Sequence, residues 1–318
     1  MFYGHLSTCP NLPFVIRPEN EAESELKYLS GWLNSDRQFV ADQLLRFGAV
    51  LFRGFAVRSD EEFEVIATQQ LPALKNYVEG NSPRTAISAK VYTSTDYPES
   101  EFITLHNELS YRQSPPAQLL FFCHTAAKTG GETPLADCRR ILQMLPVHIR
   151  QQFSDLGVCY IQNMHDGHGL GRSWQQTFET SQREVVENWL RQGNVDFEWK
   201  TDGGLWTCQV RPAIIAHPIS GDLVWFNQAE QWHITSLNDK AQAAIRAAYE
   251  PDEYPLHALY GDGSDIDEKD LATIRQLFRQ HMVAFPWQPG DVLIVDNYRV
   301  AHGRNPFLGP RAIRVAMG

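Results

Sequence analysis

Strand-like segments stand near both ends of the chain and in its middle, with helical segments between them and no regular strand–helix alternation. The predicted strands are rich in apolar and β-branched residues, and they span residues 49–55, 86–92, 102–111, 117–124, 222–227, 291–297 and 310–317. The predicted helices have apolar residues at helical spacing, and they span residues 36–47, 60–70, 138–145, 182–192, 239–250 and 267–282. A doubly wound fold or a TIM barrel would require regular alternation. The pattern instead predicts a mainly β, α+β fold with a double-stranded β-helix (jelly-roll) core and helices packed outside it.

Capping signals mark the start of two of these helices. Ser59 and Glu62 have the spacing of a capping box, in which each side chain bonds an unpaired amide of the other residue. Ser181 and Glu184 have the same spacing, and Gly193 is a C-terminal stop for that second helix. We therefore expect both helices to begin directly after their serine.

Charge and composition exclude several classes of partner. The 318 residues hold 28 Lys and Arg against 38 Asp and Glu, which gives a net charge of −10. Basic residues form no cluster larger than a pair such as Arg139–Arg140, so nucleic acid and anionic membrane surfaces are disfavoured as partners. The longest apolar run, AQLLFFC, is too short to span a bilayer, and the N-terminus lacks the features of a signal peptide. Five cysteines without a CxxC spacing predict free thiols in a reducing cytoplasm.

The segment TLHNELSY, residues 104–111, places His106 and Glu108 two residues apart in a predicted strand. Residues i and i+2 of a strand point to the same face, so the imidazole and the carboxylate would project together. Such a pair can supply two of the three ligands of a two-histidine, one-carboxylate metal site, which suits non-haem Fe(II) oxygenases. The alternative is the polar face of a half-buried strand.

A metal site would need a third ligand, and His302 is the strongest candidate among the eleven histidines. It follows the apolar segment DVLIVDN and lies in VAHGR, where a core strand would hold it rigidly. His165 and His168 lie among glycines in HDGHG, and we interpret them as loop residues.

Two arginines follow His302 near the C-terminus. Arg311 lies nine residues after it and Arg314 three further on, so the two side chains point to opposite faces of the last predicted strand. An arginine beside an iron site can hold a carboxylate through two parallel hydrogen bonds. A surface salt bridge is the alternative for either residue.

Several longer segments together resemble a known family. They are LFRGF (51–55), LHNELSY (105–111), FFCHTAAKTGGETPLADCRR (121–140), VWFNQ (224–228) and GDVLIVDNYRVAHGRNPFLGPRAIRVAMG (290–318). In these segments the chain resembles the taurine dioxygenase and clavaminate synthase-like group of Fe(II)/2-oxoglutarate-dependent oxygenases. The branch that contains the syringomycin-biosynthesis oxygenase is the most similar.

The resemblance implies a role for each of the residues above. The iron ligands of the family fall on His106, Glu108 and His302, and the arginine that binds 2-oxoglutarate falls on Arg311. The short interval after His302 leaves Arg314 as an alternative, but strand alternation groups Arg311 with the inward-facing residues. The threonine that assists this arginine falls on Thr133 in GGETP, where a local turn hydrogen bond is the alternative role.

The resemblance also implies the reaction. With Fe(II), 2-oxoglutarate and O2, such an enzyme hydroxylates an unactivated C–H bond and releases succinate and CO2. Related halogenases lack the acidic ligand, so Glu108 disfavours halogenation. The alternatives are desaturation or cyclisation by the same machinery, or a metal-dependent jelly-roll enzyme that does not use 2-oxoglutarate.

The substrate and the pocket around it are less closely specified. We expect a small amino-acid-like or natural-product intermediate, either free or tethered to a carrier protein. Tyr111, Asn227, Gln228 and Trp232 are candidate substrate contacts, because they combine apolar area with polar groups near the motifs; core packing is the alternative for each. We expect residues 1–318 to form one domain, with helical insertions at about 140–200 and 236–283 that shape the pocket entrance.

Overall fold

A computed structural model of the chain describes residues 1–6, 9–71, 73–74, 85, 87–88, 91–94 and 97–318. The strands are β1 (Phe2–Leu6), β2 (Cys9–Arg17), β3 (Ala49–Phe52), β4 (Tyr92–Thr93), β5 (Ile103–His106), β6 (Gln118–Thr125), β7 (Thr129–Gly130), β8 (Leu135–Asp137), β9 (Val158–Met164), β10 (Asp196–Trp199), β11 (Leu205–Arg211), β12 (Ile214–Ala216), β13 (Leu223–Trp225), β14 (Leu256–Tyr260), β15 (Val292–Asp296), β16 (Val300–Arg304), β17 (Phe307–Leu308) and β18 (Ala312–Met317). The α-helices are α1 (Glu21–Ser24), α2 (Leu26–Ser35), α3 (Arg37–Phe47), α4 (Asp60–Gln70), α5 (Cys138–Met144), α6 (Val147–Leu156), α7 (Trp174–Phe178), α8 (Arg183–Gln192), α9 (Ala229–Trp232), α10 (Asp239–Ala248) and α11 (Glu268–His281). Two short 3-10 helices span Ile234–Ser236 and Pro251–Glu253.

The largest sheet has seven strands in the order β1-β2-β3-β15-β6-β18-β4. Only the β2–β3 pair is parallel among its neighbours. Its central strand β15 is apolar from Val292 to Val295 and buried on both faces. Val292 and Ile294 pack towards α2, α3 and α4, while Leu293 and Val295 pack towards the opposite core. A strand that is buried on both faces has apolar residues at successive positions, which explains the run VLIV in this strand.

A smaller sheet, in the order β5-β16-β8, packs on the other side of this core. Leu105, Leu135 and Val300 from the smaller sheet share one apolar cluster with Phe121 and Val315 from the larger one. Two packed sheets with helices on the outer face form the mainly β, α+β jelly-roll architecture that the sequence predicts, so this prediction is confirmed.

The two insertions contain strands as well as helices. β9 and β10 lie within the first insertion and β14 within the second, and they join β11 in a sheet of order β10-β11-β9-β14. β14 pairs directly with β9 along five residues, from Leu256 opposite Gln162 to Tyr260 opposite Val158. This pairing ties the two insertions together, which a purely helical interpretation of them did not predict.

Several predicted boundaries differ from those observed. The predicted strand 102–111 ends at His106, and residues 86, 89 and 90 of the predicted strand 86–92 lie outside the described residues. Ser59 caps α4 by accepting a hydrogen bond from the Glu62 amide, but the Glu62 carboxylate accepts from the Arg58 amide instead of completing the box.

The second predicted capping box does not form, because α8 begins after Gln182 and has no side-chain cap. The five cysteines are free thiols, as predicted. None of the helices in the described part of the chain is both long and apolar enough to cross a membrane.

Candidate active site

Three buried side chains meet where β5 and β16 pair. His106 on β5 lies directly opposite His302 on β16, and their ring centroids are 4.6 Å apart. Glu108 joins them, with its Oε2 atom 3.7 Å from His302 Nε2. One ligand atom from each residue lies within 4.8 Å of the others. In the described ranges, this is the only group of three or more such side chains that are close enough to share a metal ion.

Glu108 lies beyond the end of the strand, so strand alternation, which the sequence suggested, does not account for its position. β5 ends at His106, and the chain then turns through Leu109, whose φ of 52° lies in the left-handed region. A turn of this kind leaves the backbone of Glu108 without a partner strand.

The side chain of Asn297 takes the place of that partner strand. Its Oδ1 atom accepts from the Glu108 amide at 2.7 Å, and its Nδ2 donates to the Glu108 carbonyl at 2.9 Å. Asn107 donates in turn to the Asn297 carbonyl at 2.6 Å. Asn297 is fully buried, so these bonds hold the turn, and with it the carboxylate, in one position.

The three side chains fit a divalent metal ion. His106 Nδ1 lies 2.8 Å from the Thr104 carbonyl, which makes Nδ1 the protonated nitrogen and leaves the lone pair on Nε2. His106, Glu108 and His302 are only 8%, 3% and 5% exposed. A carboxylate buried between two imidazoles is costly without a cation, whereas two imidazoles and one carboxylate form the ligand set of a non-haem iron site.

A cavity of about 30 Å³ lies beside the two histidines. Its walls combine apolar side chains with hydrogen-bond donors, and they are Ser94, Ile103, His106, Phe121, Thr133, His302, Gly303, Arg304, Arg311 and Ile313. Two predicted metal ligands, His106 and His302, therefore line one cavity with the predicted 2-oxoglutarate-binding residues Arg311 and Thr133, although they come from distant parts of the sequence.

Arg311 brings a positive charge to this cavity. Its Nη1 atom donates to Ser94 Oγ at 3.0 Å, and its Nε donates to the Gly131 carbonyl at 2.9 Å, so both partners are neutral. Desolvation by burial lowers the pKa of Arg311 to about 10, and the neighbouring charge of Arg304 acts in the same direction. Within the described part of the chain, no carboxylate forms a salt bridge with Arg311. A desolvated cation with this environment favours an anionic ligand.

Thr133 stands beside Arg311 in the same wall. Its Oγ1 atom accepts a hydrogen bond from Trp287 Nε1 at 3.2 Å. Because the hydroxyl oxygen accepts this bond, the hydroxyl hydrogen can donate to an acceptor in the cavity.

Arg314 lies on the opposite face of β18. Its Nε atom donates to Asp60 Oδ1 on α4 at 2.8 Å. Both side chains of this salt bridge are largely buried. Ile313 and Val315 pack on the cavity side of the strand. The alternation predicted from the sequence is therefore observed, and it places Arg311, but not Arg314, at the cavity.

The four candidate substrate contacts occupy different environments. Trp232 packs edge-on against Tyr111, with ring centroids 4.9 Å apart, and Trp232 also lines a second, larger cavity. Tyr111 lines neither cavity. Asn227 donates to the Ala213 carbonyl and accepts from the Ala229 amide. One bond joins its turn to the backbone of Ala213 and the other lies within the turn, so both polar atoms of the side chain have partners, which argues against substrate contact for Asn227.

Gln228 is hydrogen-bonded to Gln231, a residue that the sequence did not single out. Gln228 Nε2 donates to Gln231 Oε1 at 2.6 Å, and Gln231 Nε2 lies 3.5 Å from His106 Nδ1. Ser94 and Arg304 were missed as well: Ser94 lies outside the quoted segments, and Arg304 lies in VAHGR, where only His302 was singled out. His165 and His168 do not join the group of buried ligands.

Comparisons with known proteins agree with this arrangement. Residues 14–317 match the family model described as taurine catabolism dioxygenase TauD, TfdA family. The dapdiamide synthesis protein DdaC of Enterobacter agglomerans is 39% identical over 270 residues, which cover 85% of this chain and 82% of that protein. A clavaminate synthase-like protein of Arabidopsis thaliana is 29% identical over 322 residues, covering 96% of this chain and 93% of that one.

The fold is also similar to that of a solved structure. PvcB from Pseudomonas aeruginosa matches with a TM-score of 0.56 at 15% identity, over 98% of this chain and 87% of that one. The family model, which covers nearly the whole chain, confirms the family that the motifs indicate. The chain belongs to the TauD/TfdA family, and it is an Fe(II)- and 2-oxoglutarate-dependent dioxygenase.

Proposed function

We propose that this enzyme hydroxylates an unactivated C–H bond of an amino-acid-like or natural-product intermediate. One O2 and one 2-oxoglutarate would be consumed for each hydroxylation, with release of succinate and CO2. The observation that carries the proposal is that His106, His302 and Arg311 line one small cavity, and that Glu108 completes the group of metal-binding side chains with the two histidines. A relative named for dapdiamide synthesis supports a biosynthetic substrate.

We assign the metal and the cosubstrate to different residues of the site. His106, Glu108 and His302 hold Fe(II), and Arg311 pairs with the C5 carboxylate of 2-oxoglutarate while Thr133 donates a hydrogen bond to it. When bound, Fe(II) supplies the redox chemistry that couples O2 and 2-oxoglutarate to C–H oxidation.

The chain's own residues position these groups and exclude water. Asn297 fixes the turn that carries Glu108, and the Thr104 carbonyl orients the ring of His106. Phe121 and Ile313 close the cavity with apolar surface. A dry and rigid site strengthens the pairing of Arg311 with a carboxylate, because the local dielectric constant is low.

The finer assignments are proposals as well. We propose that Trp232 contacts the substrate directly and that Gln228 acts through Gln231. We place the chain near the syringomycin branch of biosynthetic oxygenases, with residues 1–318 as one domain. Its substrate is a small molecule, either free or attached to a carrier protein. We also propose a cytoplasmic location, because free thiols are typical of a reducing compartment.

Spectroscopy under anaerobic conditions tests the cosubstrate assignment. Adding 2-oxoglutarate to the Fe(II) protein should produce a visible charge-transfer band, and Arg311→Met should weaken it while Arg314→Met should not. A metal-dependent jelly-roll enzyme that does not use 2-oxoglutarate would give no band. The proposal fails if the wild-type protein gives no band and His106→Ala behaves like the wild type.

Product analysis tests the reaction type. Candidate amino acids, free and carrier-bound, should be screened with O2 for substrate-dependent succinate. Hydroxylation adds one oxygen atom to the product mass, whereas desaturation or cyclisation removes two hydrogen atoms. A product lighter than the substrate would show that the enzyme catalyses desaturation or cyclisation and not hydroxylation.

A further inference from the structure

Two cysteines meet on neighbouring strands of the sheet that has the order β10-β11-β9-β14. Cys159 lies on β9 and Cys208 on β11, and their Sγ atoms are 2.8 Å apart. Both residues are free thiols. A disulfide bond is about 2.05 Å long, so the two sulfur atoms need to approach each other by only about 0.8 Å to form one.

The strand register places both cysteines on the same face of this sheet. Cys159 lies directly opposite Val210, which is two residues after Cys208. Residues i and i+2 of a strand share a face, so the side chains of Cys208, Val210 and Cys159 all point to one side. The contact between the sulfur atoms shows that the two cysteine side chains lean towards each other across the strand pair.

The opposite face of β9 faces the core and the candidate substrate contacts. Tyr160, the next residue after Cys159, points to that face. Its hydroxyl accepts a hydrogen bond from the Gln228 amide at 2.8 Å, and its ring packs edge-on against Trp232. Because successive residues of a strand alternate between faces, a bond between the two cysteines would form on the side of the sheet away from these contacts.

The two thiols differ in exposure and acidity. Cys159 is buried, whereas Cys208 is half-buried and therefore accessible to a small molecule. The Cys159 thiol donates a hydrogen bond that lowers the pKa of Cys208, although burial and the charge of Asp196 act in the opposite direction. The same hydrogen bond, together with burial, raises the pKa of Cys159. Since the thiolate is the nucleophile in disulfide exchange, Cys208 is the thiol suited to react first.

The remaining cysteines are less suited to this reaction. Cys9, Cys123 and Cys138 are all buried. Burial raises the pKa of Cys123 and that of Cys138 to about 12, which keeps both groups protonated and unreactive at neutral pH. Accessibility and thiolate character therefore single out Cys208, with Cys159 in contact with it.

We propose that Cys159 and Cys208 form a reversible disulfide that cross-links β9 to β11 when the protein meets a small-molecule disulfide such as oxidised glutathione. The Cys208 thiolate attacks one sulfur of this oxidant, which forms a mixed disulfide and releases one small thiolate. Cys159 then loses its proton to water and attacks the Cys208 sulfur, which releases the second small thiolate. Two protein thiols are oxidised and one small disulfide is reduced to two thiols, so the electrons balance.

The cross-link would act on the strand that joins the two insertions. β9 pairs with β11 on one side and with β14 of the second insertion on the other. The bond would join residues that are 49 positions apart, which removes conformational freedom from the unfolded chain. We therefore expect the oxidised protein to be more stable than the reduced protein.

Treatment of the whole chain with oxidised glutathione under anaerobic conditions tests the inference, because the added disulfide is then the only oxidant. The chain has five cysteines and two of them should pair, so thiol titration after acid quenching and denaturation should fall from five to three. Peptide mass spectrometry should find the peptides of Cys159 and Cys208 joined, with the loss of two hydrogen atoms. Dithiothreitol should restore all five thiols.

Variants separate the roles of the two thiols. Cys159→Ala should stop at a stable glutathione adduct on Cys208. Cys208→Ala should form an adduct on Cys159 at least about tenfold more slowly than that, because Cys159 is buried. Cys9→Ala, the control at a buried cysteine outside the pair, should form the cross-link as the wild type does. If a variant does not fold, the peptide map of the wild type still decides whether the disulfide forms.

The melting temperature measures the effect of the cross-link on stability. Oxidised wild type should melt at least about 2 °C above the reduced protein, whereas Cys208→Ala should melt at the same temperature under both conditions. The inference is overturned if the wild type forms no bond between Cys159 and Cys208, if glutathione labels all five cysteines alike, or if the cross-linked protein melts no higher than the reduced one. Neither the metal nor 2-oxoglutarate takes part in this reaction, so these outcomes leave the proposed function unaffected.

Discussion

The metal centre differs in construction from the larger cavity beside it, which is lined by residues such as Gln162, Gln231 and Ala241 and is called the insertion cavity. Gln231 lies between the two, with its Nε2 atom 3.5 Å from His106 Nδ1. The metal centre lies on paired strands of the jelly roll, its cavity is only about 30 Å³, and its key groups are polar and buried. The insertion cavity is about 440 Å³ and mostly apolar, and its walls come from both insertions, from residues 231–234 between them and from Tyr97. The difference supports the proposal that the jelly roll carries the chemistry and that the insertions select the substrate.

This division predicts that each region can be altered without disabling the other. Changes at the metal centre should remove activity but leave the apolar cavity able to bind its ligand. Changes in the insertions should alter ligand binding but leave the metal and 2-oxoglutarate sites intact.

The largest effect is expected from His302→Ala. Loss of a metal ligand should lower Fe(II) affinity and succinate formation by more than about 100-fold, beyond what loss of an outer hydrogen bond costs. His168→Ala, in the exposed loop, is the control. Normal iron content in His302→Ala would refute the assignment of this ligand.

Arg311→Met should have the next largest effect. Removing one partner of a buried charge pair costs about 2–5 kcal/mol, which corresponds to a rise of about 30- to 5,000-fold in the 2-oxoglutarate dissociation constant. Fe(II) affinity should change little, because Arg311 is not a metal ligand. Arg314→Met breaks the salt bridge with Asp60 instead, so 2-oxoglutarate binding should be unchanged. Equal effects from both variants would show that Arg311 has no special role.

Asn297→Ala should lower metal affinity by about 10- to 100-fold, the usual range for a residue that holds a ligand in place. The amide and carbonyl of Glu108 both lose their partners in this variant, so its carboxylate is no longer held in place. Metal titration with Co(II), followed by its visible absorption, measures the change.

Asn227→Ala is the matched control, since Asn227 is also buried and also bonds backbone groups, but those of Ala213 and Ala229 and not those of a metal ligand. Both variants should lose stability, by about 1–3 kcal/mol for the buried groups left unpaired. Only Asn297→Ala should weaken metal binding. Equal metal affinity in the two variants would mean that Asn297 stabilises the fold without positioning Glu108.

The same contrast explains how much the sequence could predict. The jelly roll and the residues of the metal centre were accessible, because strands have a strong apolar pattern and the motifs around His106, His302 and Arg311 are specific. Even there, the strand that carries His106 ends before Glu108, and local alternation could not indicate that Asn297 holds the turn.

The insertion cavity was not predictable in the same way. Gln231 and Arg172 lie in no motif, and their position depends on the pairing of β9 with β14 across about a hundred residues of sequence. The first insertion was interpreted as helical because its helices have clear apolar spacing, whereas β9 combines apolar and polar residues without a regular period. Contacts between distant segments of this kind leave no local pattern to detect.

The smallest effect concerns pH and the wall of the insertion cavity. Burial lowers the pKa of His233 to about 4 from the usual 6.5, and the charges of His257, Arg275 and Arg246 act in the same direction against Glu268. Between these two pH values the unfolded chain binds a proton at His233 that the folded chain does not, so stability falls as the pH drops.

His233→Gln should remove this part of the pH dependence, while His257, whose pKa burial also lowers, retains its own part. The melting temperature of the wild type should therefore fall further between pH 7 and pH 5 than that of the variant, by about 2 °C for a chain of this size. His168→Gln, at an exposed histidine, should behave like the wild type. Because His233 lies outside the metal centre, the charge-transfer band of His233→Gln at pH 7 should match that of the wild type. An identical loss of melting temperature in wild type and His233→Gln would mean that this histidine takes up its proton as readily in the folded chain as in the unfolded one, and the insertion wall would then be wetter than its burial indicates.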